Sequence, residues 1–238
     1  MFRHAKSNFP SFQKVVPLRV AVLWILCVLL GDAVAGSRLV TKLDAGEKQT
    51  VVTYGTSLTA GGAWVAQVRE ALSKKYPGRL TVINSGQGSM WSKWGVDNLE
   101  QRVISRQPDT VFIEFAMNDA FLTYKTSVED ARGNLIRMID GILAAKADTE
   151  IILMTMNPPT GVHLERRPKI ADYVQMYREV AKQRNLQLID HYPNWERILK
   201  EDEKQFMAYV PDGIHPGAEG YRQVVTPLIL RELGLSAP

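Results

Sequence analysis

From Thr50 onward, short apolar runs rich in branched residues alternate with longer segments of helical period, an order that few architectures accept. A strand buried on both faces reads as a continuous apolar run, and joining it to a parallel neighbour takes a crossover of a dozen or more residues. The runs near Thr50 to Tyr54, Leu80 to Asn84, Thr110 to Phe115, Glu150 to Met154 and Gln187 to Asp190 are expected as strands. Helices are expected near Ala63 to Tyr76, Val96 to Arg106, Ser127 to Ala147 and Ile170 to Arg184, with a last one from Ala218 to Leu233. Ser127 with Asp130 three residues on reads as an N-terminal cap, Gly234 as the end of the final helix and Pro227 as a kink within it. The expected fold class is α/β, a parallel sheet wrapped by helices.

The segment before this pattern differs in kind. Arg3, Lys6, Lys14 and Arg19 precede an apolar run over residues 20–30, followed by Gly31-Asp32-Ala33-Val34-Ala35-Gly36. A basic start, an apolar run too short to cross a bilayer comfortably and small residues before a cut make the layout of a signal peptide. Residues 1–35 are therefore expected to be a signal peptide cleaved after Ala35, with an uncleaved anchor as the alternative. Residues 36–238 would then be one exported domain, secreted or periplasmic, without a stable membrane span. The formal net charge of the 238-residue chain is +4, but residues 1–35 hold four of its 29 Lys and Arg and one of its 25 Asp and Glu. The remainder carries 25 against 24, a net +1 that gives no electrostatic reason for a nucleic-acid partner. The single cysteine, Cys27, lies in the apolar run, so residues 36–238 have no disulfide, cysteine nucleophile or thiolate metal site.

In an open parallel sheet, ligands bind beyond the carboxyl ends of the strands. Three polar turns follow expected strands: Gly55-Thr56-Ser57-Leu58, then Asn84-Ser85-Gly86-Gln87-Gly88-Ser89, then Ala116-Met117-Asn118-Asp119. Each alone reads as an ordinary turn. A fourth element, Asp212-Gly213-Ile214-His215-Pro216, stands just before the last helix. An aspartate three residues before a histidine, with Gly213 permitting a tight turn, can set a carboxylate on one imidazole nitrogen and leave the other for a serine hydroxyl. That hydroxyl must lose its proton as it attacks, and a histidine with a pKa near ~6.5 can take the proton at neutral pH and return it to the leaving group.

Taken in order, Gly55-Thr56-Ser57-Leu58, Gly88, Asn118-Asp119 and Asp212-Gly213-Ile214-His215 resemble the four blocks of the SGNH (GDSL-like) hydrolases, and the likeness covers nearly all of residues 36–238. The resemblance implies a flavodoxin-like, three-layer α/β/α sandwich around five parallel strands. It implies Ser57 as nucleophile, His215 as its base and Asp212 as the group that orients the base. The oxyanion hole would be the N–H groups of Ser57 and Gly88 and the side-chain amide of Asn118, with Gly86 as the alternative glycine. The family usually has aspartate where this chain has Thr56, whose hydroxyl can cap the following backbone but carries no charge.

Around these blocks, Trp91 and Trp94 behind Gly88, with Phe121 and Tyr124 behind Asn118, can line an acyl or sugar pocket or simply pack. His163 lies in the loop after the fourth expected strand and His191 simply follows the fifth, so neither is read first as touching substrate, and Arg166 and Arg167 read as solvated side chains able to meet an anionic substrate. Asp119 is expected to brace its own turn, since no second cluster of His and carboxylates has ligand spacing; neither metal nor cofactor is expected. Glu114, in an apolar strand, needs a partner and reads as a member of a structural network before a support to the site. The expected substrate is a small-molecule or carbohydrate ester with a short acyl group such as acetyl. A lysophospholipase or thioesterase is the alternative among enzymes, and an inactive glycan-binding module the alternative of another class. Phosphoester hydrolysis fits less well, for want of metal-ligand spacing and of a Gly-rich loop ending in Lys. The sequence leaves the oligomeric state open.

Overall fold

Five strands, β1 (Gln49–Gly55), β2 (Leu80–Asn84), β3 (Thr110–Glu114), β4 (Glu150–Met154) and β5 (Gln187–Ile189), pair in parallel in the order β2-β1-β3-β4-β5. The computed structural model describes residues 1–2 and 36–235. The expected signal peptide, apart from Met1 and Phe2, and its cut after Ala35 lie outside the described residues. Every expected strand is present, and the strand order is the flavodoxin-like one. β3 and β4 are buried along their whole length, whereas the edge strands β2 and β5 are partly open, as their more polar residues allow.

Helix α1 (Arg38–Asp44) leads into β1. Helices α2 (Ser57–Ala60) and α3 (Ala63–Lys75) join β1 to β2, and α4 (Ser92–Asp97) and α5 (Leu99–Arg102) join β2 to β3. Helices α6 (Ala116–Asp119) and α7 (Val128–Ala145) join β3 to β4, and α8 (Val162–Glu165) and α9 (Ile170–Arg184) join β4 to β5. The chain then runs through α10 (Tyr192–Glu201), α11 (Glu203–Tyr209), α12 (Ala218–Gly220) and α13 (Thr226–Glu232). Strand order reverses once, and right-handed crossovers then send helices to opposite faces of the sheet. Accordingly α3 packs with α13, while α7 packs with both α4 and α9.

Two expected helices differ in detail. The one near Val96 to Arg106 is broken into α4, α5 and a 3-10 turn over Ile104–Arg106. The break falls at Asn98, whose side-chain amide turns back to the Trp94 carbonyl (2.9 Å) and competes with the helical ladder. The kink expected at Pro227 is a π turn over Tyr221–Val225, in which the Thr226 N–H reaches back to the Tyr221 carbonyl. That wider turn absorbs the helical hydrogen bond that proline cannot make. The cap at α7 is as expected: Ser127 and Asp130 form a reciprocal capping box.

Candidate active site

The β1/β3 register sets Gly55 directly opposite Glu114 at the carboxyl edge of the sheet. A Cβ on residue 55 would stand 2.5 Å from both the Glu114 carbonyl oxygen and its Oε1, so glycine is what lets the carboxylate fold under the turn. Glu114 is buried, and its Oε1 accepts from the Thr56 N–H (2.8 Å), the Thr56 hydroxyl (2.9 Å) and the Thr59 hydroxyl (2.8 Å). Thr56 also caps α2, its hydroxyl oxygen accepting from the Leu58 N–H. The network expected for Glu114 is thus the one that holds the turn carrying Ser57. Burial pushes the Glu114 carboxyl up to about 7, against the hydroxyls of Thr59 and Thr56, which pull it down.

Ser57 opens α2, and its Oγ lies 2.9 Å from Nε2 of His215. Nδ1 of the same imidazole is 2.7 Å from Oδ2 of Asp212, whose other oxygen accepts the backbone N–H groups of Ile214 (2.9 Å) and His215 (2.7 Å). Partial burial acts to raise the Asp212 pKa, but these backbone donors and the imidazole outweigh it and hold the carboxyl below its ordinary value. Gly213 turns the loop at φ +81°. Two residues beyond β4, missed in the sequence, brace that loop: Asn157 donates to the Ile214 carbonyl (3.0 Å), and the Thr160 N–H donates to the Gly213 carbonyl (2.8 Å).

The loop after β2 is bonded onto α2. Asn84 donates to the Thr59 and Ala60 carbonyls and accepts from the Gly86 N–H, while the Gln87 N–H donates to the Gly55 carbonyl. Gly86 is pressed against α2, where a Cβ would meet the Ala60 nitrogen at 2.6 Å. Gly88 instead faces the serine, its Cβ position 4.0 Å from Ser57 Cβ. The Ser57 N–H, at the first position of a helix, has no intrahelical acceptor. Asn118 is buried on α6, and its Nδ2 spends one N–H on the Met90 carbonyl (2.8 Å), two residues past Gly88.

The other singled-out residues separate clearly. Asp119 accepts from the Ser92 N–H (2.9 Å) and so braces the start of α4, not its own turn; burial raises its carboxyl to about 7. His191 is fully buried, and desolvation lowers its pKa to about 3. His163 is half-buried, its pKa lowered by burial and then by the Arg167 charge. Arg166 is exposed, but Arg167, expected to be solvated, is 5% exposed, because its guanidinium donates to three oxygens around α6 and α8. Trp94 packs on Tyr54, whereas Trp91 and Tyr124 stack with ring centroids 4.4 Å apart and Phe121 meets Tyr124 edge-on. Tyr124 also bonds the Ser89 carbonyl, fixing this aromatic pair beside the Gly88 loop.

A model of the GDSL-like lipase/acylhydrolase family matches residues 52–223. Among solved structures, a lipase/acylhydrolase from Enterococcus faecalis is similar at a TM-score of 0.66 and 27% identity, over 78% of this chain and 95% of that one. An acetyl-xylooligosaccharide esterase mutant from Geobacillus stearothermophilus is similar at a TM-score of 0.69 and 21% identity, over 81% of this chain and 98% of that one. No curated protein sequence matches the chain.

Proposed function

The chain belongs to the GDSL-like lipase/acylhydrolase family and is an ester-hydrolysing enzyme; on that premise we propose that Ser57, His215 and Asp212 are its catalytic triad. The observation that carries this reading is the unbroken path from Ser57 Oγ to His215 Nε2 (2.9 Å) and from His215 Nδ1 to Asp212 (2.7 Å). His215 takes the serine proton as Oγ attacks the ester carbonyl, and Asp212 stabilises the imidazolium. The N–H groups of Ser57 and Gly88 and the free Nδ2 hydrogen of Asn118 receive the oxyanion, each worth about 3–4 kcal/mol of barrier. The tetrahedral intermediate collapses, the leaving alcohol takes the proton from His215, and an acyl ester remains on Ser57. Water, deprotonated by His215, attacks that ester and releases the carboxylic acid and free Ser57.

The substrate reading is a short acyl ester, acetyl on a carbohydrate, met by an exported enzyme. Two observations support it. The site is open, with the side chains of His215 and Asp212 44% and 50% exposed, which suits a bulky polar alcohol portion. The stacked Trp91–Tyr124 pair beside Gly88 supplies an aromatic surface of the kind on which sugar rings rest. A Geobacillus structure of the same fold is named as an acetyl-xylooligosaccharide esterase. For export, the support is the basic-apolar-small layout of residues 1–35. A longer acyl chain, as in a lysophospholipase or thioesterase, is the second reading, favoured by exposed Leu122 between α6 and α7 and exposed Val162 and Leu164 on α8. Hydrolysis of p-nitrophenyl esters from acetyl to palmitoyl tests both. The proposal expects acetyl to be cleaved fastest and Ser57→Ala to be inert; a palmitate preference would move the substrate to lipid, and activity surviving in Ser57→Ala would overturn the assignment.

A further inference from the structure

Arg167 lies behind Asn118 and has no place in the mechanism above. Its Nε donates to the Met117 carbonyl (2.8 Å), one Nη to the His163 carbonyl (3.3 Å) and the other to Oδ1 of Asn118 (3.4 Å). The guanidinium lies over the Phe121 ring, 4.5 Å from its centroid. All three acceptors are neutral oxygens, so among the described residues this nearly buried cation stands on dipoles and one aromatic face, with no carboxylate partner. Burying a charge that way is costly, and a neutral donor would serve a purely structural purpose at less expense.

From this arrangement we infer that Arg167 is a positioning residue for the oxyanion hole, fixing and polarising the Asn118 amide; the inference rests on the reading of Asn118 as an oxyanion donor. A guanidinium can only donate, so Oδ1 of Asn118 must face it and Nδ2 must face the other way. The Met90 carbonyl at 2.8 Å holds Nδ2 from the opposite side, so the amide is locked against a flip at both ends. The Nε bond to Met117 fixes the backbone of the same short helix. A guanidinium facing the amide oxygen at 3.4 Å draws electron density from the nitrogen, making its remaining N–H a stronger donor in a low-dielectric setting. The cation finds a negative partner only when the oxyanion forms, which is when stabilisation lowers the barrier.

The test is a double-mutant cycle on the full chain with p-nitrophenyl acetate, with melting curves alongside. Arg167→Met should lower kcat about tenfold with KM within about twofold, and Asn118→Ala should lower it by about several hundredfold. In the Asn118→Ala background, Arg167→Met should cost almost nothing more, because the group it acts through is gone. An equal loss in both backgrounds, an unchanged kcat, or a raised KM at unchanged kcat would overturn the inference. Should the methionine variant be unfolded at the assay temperature, Arg167→Lys, which keeps the charge but not the fork, is read by the same cycle. If wild type cleaves the ester but Asn118→Ala equals it, the underlying site reading has failed instead, a result distinct from any Arg167 outcome.

Discussion

Glu114 should change the sign of its effect on stability with pH. Glu114→Ala removes the acceptor of the buried Thr56 N–H, which cannot turn elsewhere, at about 1–3 kcal/mol. The cavity adds about 1–2 kcal/mol, so at pH 4.5 the alanine variant should lose about 2–5 kcal/mol and, with the Ser57 turn unsupported, most of its activity. Glu114→Gln keeps an amide oxygen where Oε1 stands and should cost only about 1 kcal/mol at pH 4.5. In the folded chain the Glu114 carboxyl is raised from 4.5 to about 7, so between those values the native state binds more protons than the unfolded one. Its stabilising contribution is therefore complete below pH 4.5 and lost as pH rises through 7, a total of about 3 kcal/mol. Glutamine does not titrate, so by pH 8 the variant should be more stable than wild type by about 2 kcal/mol. Urea titrations of wild type and both variants at pH 4.5 and 8 measure this directly. A wild-type-to-glutamine difference that does not change with pH, or an alanine variant within about 1 kcal/mol of wild type at pH 4.5, would refute the reasoning.

Three further outcomes follow from the same geometry. Gly55→Ala would force a methyl group to 2.5 Å from the Glu114 carbonyl and should destabilise by about 3 kcal/mol or more, visible as a melting point lowered by several degrees. Asp212→Asn removes the charge that holds the His215 tautomer and should cut kcat on p-nitrophenyl acetate about a thousandfold or more with an unchanged circular dichroism spectrum; a loss under tenfold would contradict its role. Desolvation holds His191 neutral, its pKa lowered from 6.5 to about 3 against the opposing pull of Asp190, so stability is lost as pH falls from 6.5 towards 3, by up to about 4–5 kcal/mol. His191→Phe should flatten that acid limb in urea midpoints between pH 7 and 4, and parallel curves would show the buried imidazole to be irrelevant.

Strands β2 and β4 are legible in the sequence to the residue, because an apolar run bounded by turn residues has no other comfortable place in such a domain. The helices α1, α10 and α11 are not anticipated; for α10 the signal was present, since Pro193 stands in its first turn. The residues now proposed to be catalytic are readable because each follows an element end that can be located by pattern. Their supports are not, since they depend on contacts distant in sequence. Arg167 is buried by oxygens on residues 49 and 50 positions away, and Glu114 meets Thr56 across 58. The choice between Gly86 and Gly88 likewise turns on which of them lies against α2, a matter of packing that motif spacing leaves open.

If Ser57 is an activated nucleophile, a fluorophosphonate should label it in the native protein, and peptide mass spectrometry locates the adduct. One adduct is expected, on Ser57, formed rapidly in wild type and absent in Ser57→Ala and in His215→Ala. An adduct on a different residue, or a wild-type protein that resists the reagent while folded, would contradict it.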